Sequence, residues 1–189
     1  MTARSGPRTS RTTRRRTASA APASSSRCRR HDGGDRNGSM TGAENLHASA
    51  VALAGRGILI RGAARSGKSA LVLALLRRGP SLGVDAEFVA DDRVIAEPSG
   101  ETLRLSAPAG LAGLIEISGI GIVSEMARPS VDLWLVADLV PPQTIQRHPG
   151  AMKTEVGGLT VPLVRLPERA AALSADILFT LALSGRLPE

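Results

Sequence analysis

Apolar and polar positions alternate in short bursts along most of this chain, and only two stretches repeat with helical spacing. Ser49–Leu53 and Gly57–Arg61 read as two short strands around a Gly-Arg-Gly turn. Gly62–Ser69 is a glycine-containing loop. Ala70–Arg78 carries Leu71, Leu75 and Leu76 on one side and reads as a helix ended by Gly79 and Pro80. Glu87–Ala90 and Arg93–Ala96 are short strands on either side of Asp91-Asp92, and Thr102–Leu105 alternates as another. Leu114–Ile117 and Ile120–Val123 are strands separated by Gly119. Val131–Ala137 is almost continuously apolar, as expected of a strand buried on both faces. Pro141–Gly158 is polar, contains Pro and Gly, and reads as a loop. Leu159–Leu163 is a strand that Pro162 assigns to an edge. Glu168–Leu183 closes the pattern as a helix with Leu173, Ile177 and Leu181 in a stripe. Many strands, few helices and one strand–loop–helix unit near the start predict an α/β domain, a mixed sheet with flanking helices, without internal repeat.

Charge divides the chain into two parts. The 189 residues carry a formal +7, but residues 1–39 hold ten Arg and two Asp, whereas residues 40–189 hold 14 basic and 15 acidic residues. The basic character therefore belongs to the tail. Residues 1–39 have almost no large apolar side chains and cannot bury enough surface to offset their ordering entropy, so they read as a disordered basic tail. Arg- and Ser-rich, acid-poor content also suits a transit peptide or a weak phosphate-binding arm. The reading adopted is that Met40 is the true start and 1–39 a mis-called extension, leaving 40–189 as the domain. A basic nucleic-acid fold is not supported. With two Phe, one Trp and no Tyr, neither is a base-stacking surface. The single cysteine, Cys28, excludes an intrachain disulfide framework and a cysteine zinc cage. No run is long and apolar enough to predict membrane insertion, and a cytoplasmic location is expected.

The segment Gly62-Ala63-Ala64-Arg65-Ser66-Gly67-Lys68-Ser69 fits G-x-x-x-x-G-K-[ST]. Its glycines let successive backbone N–H groups turn inward toward phosphate oxygens, and the following helix offers its free N–H groups to the same anion. Lys68 would reach the β- and γ-phosphates and the Ser69 hydroxyl would hold Mg²⁺. The apolar strand before it and the leucine-rich helix after it are the context such a loop needs. Binding of a nucleotide or another polyphosphate follows; the reaction does not.

Asp91 and Asp92 end the apolar run Phe88-Val89-Ala90. A phosphate-loop enzyme needs a carboxylate there to hold Mg²⁺, and a second can orient or deprotonate an attacking hydroxyl. The pair alone would equally suit a solvated turn opening a hairpin. Glu116 alternates to the face opposite Ile115 and Ile117, where it either meets solvent or adds a metal ligand. His47, just before the first strand, reads by itself as a surface or cap residue.

Together these segments resemble the catalytic domain of bacterial HPr kinase/phosphorylase. The likeness is carried by His47-Ala48-Ser49-Ala50-Val51, by Gly57–Gly62 leading into the phosphate loop, and by Val89-Ala90-Asp91-Asp92-Arg93-Val94. It continues through Gly113-Leu114-Ile115-Glu116-Ile117 and Gly119-Ile120-Gly121-Ile122-Val123. It covers most of residues 45–183 and suggests the short alphaproteobacterial form, which lacks the N-terminal domain of larger members.

The resemblance implies a phosphate-loop α/β core related to phosphoenolpyruvate carboxykinase. It implies ATP- and Mg²⁺-dependent phosphorylation of a serine on HPr, a carrier protein of the sugar phosphotransferase system, with a role in regulating carbon metabolism. Many members also run the reverse phosphorolysis. By the same resemblance His47 is the active-site histidine, Lys68 the phosphate-loop lysine, and Ser69 and Glu116 magnesium ligands. Asp92 is the carboxylate that takes the serine proton, supported by Asp91, and Arg147 falls where the family has a later active-site arginine. A homo-oligomer is implied, since larger members form hexamers. Two departures remove charge: Ala70 stands where the family has an acid, and Ser118 where it has arginine. The C-terminal segment tied to phosphorolysis has no clear counterpart, so the kinase direction is expected over the reverse. The alternative is a degenerate ATP-binding sensor without transfer activity.

Overall fold

The computed structural model describes residues 42–187. The expectations for residues 1–39, and for Met40 as the start, lie outside the described residues. Strands β1 (Glu44–Leu46), β2 (Ser49–Leu53) and β3 (Arg56–Gly62) lead into helix α1 (Lys68–Arg78). Then come β4 (Ala86–Ala90), β5 (Val94–Ser99) and β6 (Thr102–Ser106), followed by the strands β7 (Leu114–Ile117) and β8 (Gly121–Ser124). Strands β9 (Ser130–Val140), β10 (Met152–Val156) and β11 (Leu159–Pro167) precede helix α2 (Ala171–Ser184).

Nine of these strands form one mixed sheet in the order β1-β5-β6-β9-β3-β2-β4, with β11 and β10 branching from β9. The long β9 makes the branch possible. Its first residues, Ser130–Asp132, pair antiparallel with β6, and its last, Val136–Val140, pair parallel with β11. Strand β3 also runs parallel to β9. The remaining pairings are antiparallel, including the separate two-stranded β7–β8 hairpin.

Alternation along the central strands divides the core in two. Ile58, Ile60, Leu135 and Ala137 face the helices and pack with Leu71 and Leu75 of α1 and with Leu178 and Phe179 of α2. Leu59 and Val136 point the other way, into a second cluster with Val94, Leu103, Leu105 and Val131. That second cluster draws no residue from either helix. Both helices thus flank one face, and the sheet closes over its own other face. No helix among the described residues is long and apolar enough to cross a membrane.

The expected elements are present, with four corrections. The region expected to be a loop, Pro141–Gly158, contains β10. It pairs with β11 across Gly157-Gly158, whose positive φ values of 53° and 79° make a two-residue hairpin turn. Strand β1 carries no alternation long enough to read and exists by pairing with β5. In β9 only Leu135, Val136 and Ala137 form a run buried on both faces. Asp132 is exposed and Trp134 only partly buried. Finally, α2 begins at Ala171 rather than at Glu168, because Arg169 adopts left-handed backbone (φ 58°) and breaks the run.

The stripe expected on α2 is also not its core face. Ser174, Ala175, Leu178, Phe179 and Ala182 are buried, whereas Leu173 is 54% exposed and Ile177 and Leu181 are only partly covered. Leu178→Ala is expected to lower the unfolding free energy by about 2–5 kcal/mol. Leu173→Ala should change it by no more than about 0.5 kcal/mol. Urea denaturation reads both, and equal losses would contradict this orientation of α2.

Candidate active site

Topology brings distant segments to one end of the sheet. Strand β4 runs antiparallel to β2, and β2 antiparallel to β3, so β3 and β4 end at the edge where β2 begins. The loop after β3, the Asp91-Asp92 pair after β4, and His47 and Ser49 at the start of β2 meet there. The loop, His47 and the aspartates, together with Glu116, Ile117 and Ser118 of the β7–β8 hairpin, line a cavity of about 710 Å³, with Ser49 buried behind it.

Close approach and local backbone shape the loop. A side chain at Gly62 would stand 2.5 Å from Ser66 Oγ and 3.0 Å from Leu139 Cβ, so only glycine fits. Arg65 (φ 63°) and Gly67 (φ 100°) take left-handed conformations, which curl the loop into a concave row of N–H groups. Gly67 caps α1, and Gly67, Lys68, Ser69 and Ala70 all line the cavity, so the open N–H groups of the first turn face it. The Arg169 N–H donates to the Ser66 carbonyl at 2.8 Å and clamps the loop to the chain entering α2. Lys68 is 9% exposed, and its Nζ donates to the carbonyls of Gly62 at 3.0 Å and Ala63 at 3.2 Å. The Ser66 hydroxyl is buried with no hydrogen-bond partner among the described residues.

The two aspartates face opposite ways. Asp91 is 6% exposed, and three donors hold its carboxylate. Oδ1 accepts from Ser49 Oγ at 2.6 Å; Oδ2 accepts from Ser69 Oγ at 2.9 Å and from the Glu116 N–H at 3.3 Å. Such bonds offset the desolvation that an unpartnered buried carboxylate would suffer. Asp92 adopts left-handed backbone (φ 63°), which turns its side chain out of the core, 58% exposed. Its Oδ1 lies 3.1 Å from His47 Nδ1, which is also 3.1 Å from the Asp92 carbonyl oxygen.

Glu116 is exposed, and its side chain lines the cavity. The oxygen donors of Ser69, Asp91 and Glu116 would suit a hard divalent cation that keeps several waters. No group of three or more His, Cys, Asp or Glu among the described residues forms an all-protein metal cage.

Arg147 is the exception among the expected site residues. It lines a different cavity, against Ile177 and Leu181 of α2, and the structure does not bring it to the phosphate loop. Two contributors were missed in the sequence. Ser49 is fully buried and bonds Asp91; a hydroxyl at the loop-proximal end of an otherwise apolar strand is the signal that could have found it. The Arg169 clamp acts through backbone and leaves no signal in the residue types.

The family model for the HPr Serine kinase C-terminal domain matches residues 38–129. The chain is 32% identical over 137 residues to an HPr kinase/phosphorylase of Chlorobium phaeovibrioides, covering 66% of this chain and 40% of that protein. It is 30% identical over 161 residues to one of Lactiplantibacillus plantarum, covering 79% of this chain and 49% of that protein. The chain thus spans about half or less of the length of these curated relatives. Among solved structures, the Hpr(Ser) kinase/phosphatase from Coxiella burnetii superposes with a TM-score of 0.65 at 26% identity, covering 76% of this chain and 90% of that one. The matched residues, the mixed α/β architecture and the phosphate loop facing two aspartates identify the chain as a member of the HPr serine kinase C-terminal domain family.

Proposed function

We propose that this protein is an ATP- and Mg²⁺-dependent kinase that phosphorylates a serine of an HPr-like phosphocarrier. The observation that carries the proposal is the convergence of the loop, the Ser69–Asp91 bond and the outward-turned Asp92 on one cavity. When bound, ATP would supply the phosphoryl group and Mg²⁺ would offset the negative charge of its phosphates. The chain's own contribution is positioning and charge complementarity, which dominate phosphoryl transfer. The loop N–H groups bind the phosphates, and Lys68 exchanges the Gly62 and Ala63 carbonyls for phosphate oxygens. Ser69 and Asp91 hold the metal side, with Glu116 beside them. Asp92 accepts the serine proton, and His47 Nδ1 steadies its carboxylate.

A folded acceptor suits the mouth of the site. Ile120, Ile122 and Met126 stand 74%, 70% and 92% exposed on and just after the hairpin whose Ile117 and Ser118 line the cavity. Exposed apolar side chains gathered beside a site favour a protein partner over a small metabolite. The same proposal includes a cytoplasmic, homo-oligomeric protein.

The test combines the full chain with γ-labelled ATP, Mg²⁺ and HPr from the same organism and follows label on serine. Labelling is expected, and Lys68→Ala should reduce it by at least about 100-fold. A second reading, an ATP-binding sensor without transfer activity, draws on one observation. Ala70 and Ser118, where the family carries charged residues, both line the cavity. ATP binding with no labelled serine would favour that reading.

A further inference from the structure

We propose that Arg65 contacts the nucleotide directly, its guanidinium holding the terminal phosphate of the bound triphosphate. The assignment deepens the reading of the cavity as a nucleotide site and rests on that reading.

Backbone conformation singles the residue out. Among the described residues, four other than glycine take left-handed backbone: Ala54, Arg65, Asp92 and Arg169. Ala54 shares with Gly55 the two-residue turn between β2 and β3, where both central residues take positive φ. The other three belong to the phosphate-loop site. Asp92 lines the cavity, and Arg169 holds the loop through its N–H. At such an angle a residue with a Cβ carries a cost that glycine avoids. Aspartate recovers part of that cost through its short polar side chain, and arginine does not. The shape of the loop alone would favour glycine at position 65, so an arginine there is explained by what its guanidinium meets.

The charges at the cavity lead to the same residue. Asp91, Asp92 and Glu116 supply three carboxylates, and the basic residues lining it are His47, Arg65 and Lys68. His47 faces Asp92, and the buried Lys68 donates to the carbonyls of Gly62 and Ala63. Arg65 is exposed, and no hydrogen bond or ion pair among the described residues occupies its guanidinium. Arg61, on the strand leading into the loop, is by contrast held by Asp138 with bonds of 2.7 and 3.0 Å. A triphosphate entering beside three carboxylates gains from a second cation. The loop N–H groups and Lys68 serve its inner side. The phosphate to be transferred must face Asp92 and the open side of the cavity, where the exposed Arg65 stands. The planar fork of a guanidinium matches phosphate oxygens two at a time.

Calorimetry on the full chain with Mg²⁺ tests the assignment by comparing ADP with the β,γ-imido analogue of ATP. Binding that survives Lys68→Ala, which keeps the arginines of residues 1–39, is the background. Two variants separate the guanidinium from the backbone. Arg65→Gly removes the charge and frees the left-handed backbone; Arg65→Gln removes the charge and keeps a Cβ there. Both are expected to bind the analogue at least about tenfold more weakly, with ADP affinity within about twofold of the unmodified chain. Retained ADP binding also reports that the variants fold. The proposal fails if either variant keeps full affinity for the analogue, or if ADP affinity falls by the same factor. If the unmodified chain binds neither nucleotide above background, the nucleotide reading fails and takes this proposal with it. Binding of both nucleotides that neither variant alters overturns the role of Arg65 alone. No carrier protein enters the assay, so the result holds whether or not HPr is labelled.

Discussion

Asp92→Asn is expected to lower phosphoryl transfer to HPr by about 10²- to 10⁴-fold, the usual contribution of a positioned general base, while ATP affinity stays nearly unchanged. Asn has the same shape and tolerates left-handed backbone, so the φ of 63° survives. Among the described residues no hydrogen bond or ion pair joins Asp92 to the phosphate loop or to Ser69. Its contact is with His47, and the part of that contact made by the Asp92 carbonyl is retained. The substitution therefore removes a proton acceptor and leaves the nucleotide's cradle intact. Initial rates of serine labelling and an ATP titration separate the two effects. A parallel loss of nucleotide affinity would instead assign Asp92 to the metal.

Asp91→Asn should behave in the opposite way, losing Mg²⁺-dependent ATP binding together with transfer. Its carboxylate is fully engaged, with Ser49 on one oxygen and Ser69 and the Glu116 N–H on the other. An amide can keep an oxygen toward Ser69 and Glu116 only by turning its NH₂ toward Ser49, whose hydroxyl must then rotate to accept. The cost to folding should be about 1–2 kcal/mol. The loss of negative charge at the metal side should weaken apparent Mg²⁺ affinity, measured with ATP present, by at least about tenfold. Calorimetric Mg²⁺ titration and thermal melting check the two parts. Unchanged Mg²⁺ dependence would shift the metal to Glu116. The contrast between adjacent aspartates is the sharpest consequence of one backbone reversal: Asp91 turns inward to three donors, and Asp92 turns outward to the cavity.

The phosphate loop and the aspartate pair were legible because their chemistry is local. Glycines at Gly62 and Gly67 declare the close approach and the left-handed turn that the structure contains. The loop's lysine and serine follow at fixed positions. The Gly157-Gly158 hairpin was missed, although two adjacent glycines are a turn signal, because the polar residues before them read as loop. The buried face of α2 was not legible. The segment Ala171–Ser184 is apolar nearly all round, so helical periodicity cannot select among its faces. What selects is the shape of the surface offered by β3, β9 and α1. The position of Arg147 was equally out of reach, because a loop residue takes its place from the elements that the loop joins.

By itself, the amino-acid sequence determined the charge division of the chain, the glycine-bearing loop and the helix that follows it, and most strand positions. These depend on neighbouring residues and on backbone preferences that glycine, proline and alternation encode. Only the tertiary structure decided which aspartate is buried, that Ser49 holds it, that Arg169 clamps the loop, and which side of α2 remains open. Each of these is a contact between segments far apart in the chain, such as the 42 residues separating Ser49 from Asp91. Such contacts are set by strand order and register, which no local pattern contains.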